Sequence, residues 1–256
     1  MLKKQVKRLC TGLACVALAS VVMPQQASAQ ADSWRGWFAH FINVRVHDKW
    51  TLYADYQIRS TDNIDNLGQV LIRPGLTYHW KSNISATVGY TGVFNYLSTP
   101  IADREWMPEH RAFQQLVFRS DMKGFSEFQN RIRLEERFIG KPSQSNPGDI
   151  YYDNALRVRH FIRGVIPFSP YEKRDRKFFF IALQNEIFLN IGNQQADNGQ
   201  FFGQNRAYAA AGFKFSPKLS LEAGYMNLTM NSGSSAQSRH IIQIMAFSNF
   251  DLRKKQ

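Results

Sequence analysis

The sequence predicts an all-β protein, an up-and-down antiparallel transmembrane β-barrel, and three observations point that way. Segment after segment alternates apolar with polar residues, the mark of a strand with two unlike faces, and no stretch sustains a 3.6-residue period. Most segments run ten residues or more, near the roughly 9–11 that cross a bilayer with tilt and beyond the roughly 5–6 of globular strands. Short turns and long polar loops alternate between them, as in outer-membrane barrels with tight periplasmic turns and longer extracellular loops. Composition agrees. The 256 residues are 44% hydrophobic and include 20 Phe, 10 Tyr and 5 Trp, yet mean hydropathy is -0.38. The longest apolar run after residue 30 is Phe178–Leu183, whereas a spanning helix needs about 20 such residues.

Residues 1–29 read as a bacterial-type secretory signal peptide, leaving 30–256 as the barrel. Lys3, Lys4, Lys7 and Arg8 form the positive start, Leu9 to Met23 the apolar stretch, and Ala27-Ser28-Ala29 the small-residue cleavage site. An anchor helix fits less well, because the apolar stretch is short and ends at Pro24. Cys10 and Cys15 both fall inside this segment, so the mature chain is expected to lack a disulfide framework. Gly12-Leu13-Ala14-Cys15 lacks the large aliphatic residue that a lipidation site places three positions before the cysteine, and the apolar stretch continues beyond it. Cleavage would lower the formal charge from +12 to +8.

Eleven strands follow in order, roughly at 36–46, 50–59, 69–80, 84–95, 111–121, 125–138, 151–166, 178–190, 205–215, 219–229 and 240–252. In the second, Trp50, Leu52, Ala54, Tyr56 and Ile58 share one face and Thr51, Tyr53, Asp55, Gln57 and Arg59 the other. In the sixth, Phe128, Ile132, Leu134 and Phe138 oppose Glu127, Gln129, Arg131, Arg133, Glu135 and Arg137. Turns are expected at 47–49, 81–83, 122–124 and 216–218, longer loops at 60–66, 97–110, 139–149, 191–204 and 231–238, and a charged connector at 168–176. Single-chain bacterial barrels use even strand numbers. The reading therefore favours twelve strands, with ten as the alternative, the extra one near Ser33–Trp37 or produced by splitting a segment. Aromatics such as Trp50, Tyr78, Trp80, Tyr151 and Tyr152 gather near segment ends, where membrane interfaces favour them. The last strand carries Phe250 near the terminus, but has no glycine where barrel-assembly signals place one, and a charged tail follows it.

Periodicity alone does not say which face meets water. In a soluble barrel the apolar face points inward; in a membrane barrel it meets lipid and the polar face lines the lumen. On the second arrangement the lumen would carry Arg59, Arg73, Arg119, Arg131, Arg133, Arg137, Arg157, Arg159 and Arg163, with fewer acids: Asp55, Glu127, Glu135, Glu186 and Glu222. Such a lining favours anionic solutes, as rings of basic residues do. Alternatively, Arg–carboxylate pairs fill the interior and close it.

The opening of the mature chain, Trp37-Phe38 followed by His47-Asp48-Lys49-Trp50-Thr51-Leu52-Tyr53 and Tyr56-Gln57-Ile58-Arg59, resembles that of the DUF2490 family of predicted outer-membrane proteins. The likeness extends to Arg133-Leu134-Glu135-Glu136-Arg137-Phe138 and to Arg157 with Arg159. The resemblance implies an outer-membrane barrel and brings no activity, so no catalytic residue is carried over.

The functional expectation is a small-solute, anion-favouring channel or a structural barrel, without cofactor or metal. Its expected partners are outer-membrane lipid, lipopolysaccharide and the barrel-assembly machinery. Two alternatives stand beside it, a lipid-modifying barrel enzyme and a soluble periplasmic binding barrel. The enzyme would need Ser with His on the apolar face; His40 and His160 lie there, with no serine evident beside His160. Glu135 and Glu136 point to opposite faces and cannot form a carboxylate dyad. There is no phosphate loop or metal-ligand spacing, and the Asp62–Asn66 stretch is indistinguishable from an ordinary polar turn. Basic residues spread over the strands of an exported chain do not suggest nucleic acid.

Overall fold

A computed structural model describes residues 34–168, 177–197, 199–232 and 235–253. The expected signal peptide and most of the 168–176 connector lie outside them. Eleven strands form one closed barrel: β1 (Trp34–His47), β2 (Trp50–Ser60), β3 (Leu67–Lys81), β4 (Ile84–Ile101), β5 (Arg104–Arg119), β6 (Glu127–Pro142), β7 (Ile150–Pro167), β8 (Phe178–Ile191), β9 (Phe202–Ser216), β10 (Leu219–Ser232) and β11 (Ser235–Asp251). Each pairs antiparallel with its sequence neighbours. The expected ladder of strands is there, with eleven where parity had suggested twelve or ten.

The odd number has a structural consequence. An even count lets the last strand close antiparallel on the first; with eleven, β1 and β11 run the same way. They close the barrel as a parallel pair, in register from Trp34↔His240 to Arg45↔Asp251. The extra strand sought near Ser33–Trp37 is the start of β1 itself. β1 therefore begins at the end of the barrel that carries the longer connections, and β11 finishes at the end that carries the tight turns.

At the turn end, Asp48-Lys49, Ser82-Asn83 and Pro217-Lys218 link neighbouring strands, and 120–126 and 168–177 are longer links. At the other end, two expected loops are hairpin extensions instead. β4 and β5 continue through 97–110 and reverse on Ala102-Asp103, both at positive φ of 47° and 62°. β10 and β11 pair as far as Ser232↔Ser235, where a loop at 231–238 had been expected. The tip of the β4–β5 extension, 98–103, stands clear with its side chains largely exposed, while Met107 and Glu109 at its base are buried. Without a buried face, no hydropathy alternation marks that tip. True loops remain at 61–66, 143–149 and 192–201, the first and last each holding a single 3-10 turn.

The two faces are unlike, and charge lies inside. On β2, Thr51, Asp55 and Gln57 are buried whereas Trp50, Leu52, Tyr56 and Ile58 are exposed. Ile72, Leu76, Val88, Leu116, Ile132, Leu134, Leu183, Leu221, Ile242 and Ile244 continue the exposed apolar belt round the barrel. Aromatic clusters lie towards each end of the belt. Trp50 packs on Tyr78 at the turn end, and Trp34 stacks on His240 and packs near Tyr225 towards the other.

Candidate functional site

The interior is the candidate site, and strand alternation builds it. Residues i, i+2 and i+4 of a strand share a face, so Asp55, Gln57 and Arg59 point inward from β2, and Arg131, Arg133, Glu135 and Arg137 from β6. Register then sets their partners. Asp55 faces Arg73 across the β2–β3 ladder and accepts from its Nη1 at 2.9 Å; Gln57 and Tyr53 also donate to the carboxylate. Arg159 of β7 bridges Glu135 at 2.5 Å and Glu186 at 2.7 Å. Arg131 reaches the same Glu186 oxygen at 2.7 Å, and Arg163 holds Glu222 at 2.6 Å. Arg133 stands 3.5 Å from Glu135 and donates to Gln115 Oε1. Arg137 and Arg157 converge on Asp197, at 3.0 and 2.5 Å. Glu127 and Arg119 line the cavity at the turn end without belonging to this network.

Aromatic rings support the guanidiniums from the side. Arg133 lies over Phe113, Arg131 over Phe161, and Arg159 over Phe188, with 4.3–4.7 Å to the ring centroids. Gly89 makes room for Phe113, since a Cβ there would stand 2.6 Å from the ring.

The network divides the interior. A cavity of about 530 Å³ opens toward the turn end and one of about 410 Å³ toward the loop end. Both touch Trp37, Arg59, Arg73, Arg159 and Arg206, which form the waist between them. Two of these arginines make no ion pair among the described residues. Arg59 donates to Gln57 and Gln69, each at 2.6 Å, and Arg206 lies over the faces of Trp37 and Phe188, opposite Glu186 in the β8–β9 ladder. Arg59 also lies over Trp37, at 4.1 Å. The Nε of each is buried without a partner.

Several contributors escaped sequence reasoning. Glu109 was placed in a loop, yet it is buried at 3% exposure, takes both Arg111 and Arg137, and belongs to β5. Asp197, in the 192–201 loop, folds back onto the barrel. Its carboxyl is pushed up by burial, but the Arg157 and Arg137 guanidiniums outweigh this and hold it below its ordinary 3.8. Arg206 sits in the alanine-rich β9, and the phase Arg111, Phe113, Gln115, Val117 was the available signal for β5.

The outward histidines sort differently from the expectation. His160 has Ile132 and Ile187 as cross-strand neighbours, with no serine among them. His40 is the one beside a serine: its Nε2 is 2.9 Å from Ser248 Oγ across the β1–β11 seam, and Nδ1 is 3.3 Å from the Tyr56 hydroxyl. Among the described residues, no cluster of three or more His, Cys, Asp or Glu could hold a metal ion.

Among solved structures, the chain is similar to one described as a NanC porin in a rhombohedral crystal form. Sequence identity is 14% and the TM-score 0.45, over 76% of this chain and 86% of that one. No curated protein matches. A family model described as a protein of unknown function, DUF2490, matches residues 34–239. That match takes in β1 to β10 and the start of β11: the chain belongs to the DUF2490 family.

Proposed function

We propose that this protein is an outer-membrane barrel whose narrow, basic lumen admits small anionic solutes. The observation that carries the reading is the inverted distribution of side chains. Ion pairs 0–8% exposed fill the interior, while a continuous belt of Leu, Ile, Val and aromatic residues faces outward. In water that belt would be a large exposed apolar patch, which monomeric soluble proteins avoid; against lipid it is the required surface. The soluble binding barrel is disfavoured on the same ground. The tight turns would face the periplasm and the longer connections the exterior, with basic residues at the rims meeting lipopolysaccharide phosphates. Insertion would fall to the barrel-assembly machinery.

Anion preference follows from the waist, where Arg59 and Arg206 make no direct ion pair and Glu186, beside Arg206, is already shared by Arg131 and Arg159. Reconstitution in planar bilayers with a salt gradient tests this. Anion-selective conductance is expected, reduced in Arg59→Gln/Arg206→Gln; cation selectivity, or recovery of the protein in the periplasmic supernatant, would overturn it.

One observation favours a second reading. Ser248 and His40 form a hydrogen-bonded pair on the lipid-facing surface, the geometry in which an imidazole takes a serine proton. A tyrosine stands behind the ring where hydrolases commonly place a carboxylate, and Ser248 is buried. Lipid-ester hydrolysis abolished by Ser248→Ala would support an enzyme; its absence in the wild-type barrel leaves the pair a structural tie across the seam.

A further inference from the structure

The barrel interior has two chemically different walls. From β2 to β7 the inward side chains are mostly Arg, Asp, Glu, Gln and Thr. From β8 round to β1 they are largely apolar, and Phe178, Phe180, Met226, Ile241 and Met245 belong to one cluster 0–7% exposed, with Phe41 and Phe247 packed against it. The cavity of about 530 Å³ lies between the walls, with Phe178, Phe180, Met226, Met245 and Phe247 on one side and Arg73, Gln115 and Arg131 on the other. Its inner limit is the waist, where Arg59 and Arg206 flank Trp37 without ion-pair partners.

A lumen that only passed hydrated inorganic ions would gain nothing from a Phe/Met wall, because such ions bury no apolar surface. An organic anion with an apolar body uses every part. Its carboxylate would take charge-assisted hydrogen bonds from the guanidiniums of Arg206 and Arg59, which border the cavity. Its aromatic or aliphatic body would lie on the Phe/Met wall, in a cavity within the roughly 300–1,000 Å³ range of small-molecule sites.

We propose that the turn-end cavity is a binding site for amphipathic organic monocarboxylates, with the carboxylate at the Arg59–Arg206 waist and the apolar body on the β8–β11 wall. The proposal deepens the anion-channel reading by naming the class of anion, but it concerns binding and does not need the waist to conduct.

The test is calorimetric titration of the barrel in lipid nanodiscs with 4-phenylbutyrate and, separately, with gluconate, which carries the same charge on a hydrophilic body. Empty nanodiscs report partition into lipid. Saturable phenylbutyrate binding is expected, at least about tenfold tighter than gluconate, since a body of this size gains several buried methylenes. Arg206→Gln should weaken phenylbutyrate about tenfold through the lost charged hydrogen bonds. Met245→Gln, a near-isosteric change on the apolar wall, should weaken phenylbutyrate and leave gluconate unchanged; heat-modifiable gel mobility confirms that both variants are folded. Equal affinity for the two anions, or phenylbutyrate uptake no greater than in empty discs, would overturn the proposal. Binding without conductance would leave it standing and sink the channel reading; conductance without binding would do the reverse.

Discussion

Glu135 shows what a charge inside this barrel must satisfy. It is 0% exposed, takes Arg159 at 2.5 Å, and lies 3.5 Å from Arg133, itself 1% exposed. Removing one partner of a buried pair leaves the other charge uncompensated, at a cost of about 3–5 kcal/mol. Glu135→Gln is therefore expected to lower the thermal or urea midpoint in detergent by an amount of that order. Asp48→Asn, which breaks the exposed pair with Arg253 at the turn end, should leave the midpoint unmoved. Asp197 gives the pH response. Its folded carboxyl lies below 3.8, so its hold on the 192–201 loop is present above the unfolded value and is lost as pH falls through the folded one. Hydrogen exchange in that loop, taken relative to the intrinsic amide rate at each pH, should stay slow from neutral pH down to about 4 and accelerate below it. In Asp197→Asn it should be fast throughout. The basic residues on alternating strands could be seen in the sequence, because period two puts them on one face whatever that face meets. Their partners could not, because Glu109–Arg137 and Asp197–Arg157 depend on register and on a loop folding inward.

The seam between β1 and β11 is the least conventional element, because it is parallel where all the other pairings are antiparallel. Register puts Ala39 opposite Met245 there, both inside and both buried. Apart from Cys10 and Cys15, in the expected signal peptide, the chain has no cysteine. An Ala39→Cys/Met245→Cys double variant should thus form a single intramolecular disulfide on oxidation, seen as a mobility shift reversed by reductant. A twelfth strand between β1 and β11 would hold the two thiols apart, and no such bond would form. Strand segments were legible because their outward positions are apolar over ten or more residues. The parallel closure was not, since nothing in the alternation of β1 or β11 records the direction of its neighbour. The apolar inner wall was hidden for a related reason. In Phe178–Leu183 both faces are apolar, so the segment reads as an unbroken run and no phase separates Phe178 and Phe180, inside, from Phe179, outside.

Taken together, the barrel explains how a chain with mean hydropathy -0.38 can carry an outward-facing apolar belt. Each strand gives about half its residues to the outside, and the inside is charged on one wall and apolar on the other. An eleven-residue strand such as β2 spans about 36 Å along its own axis, and ordinary barrel tilt brings that near 28 Å, close to the bilayer's hydrocarbon core. Whether the alternation meets lipid and lumen in the stated order can be read directly along β11. Single cysteines placed from 240 to 250 in the otherwise cysteine-free barrel would carry an environment-sensitive fluorophore in vesicles containing brominated acyl chains. Quenching should alternate with period two, strong at 242 and 244, which face outward, and weak at 241, 243 and 245, which face the interior. A pattern without alternation, or quenching strongest at 241, 243 and 245, would contradict an apolar belt in lipid around a charged interior.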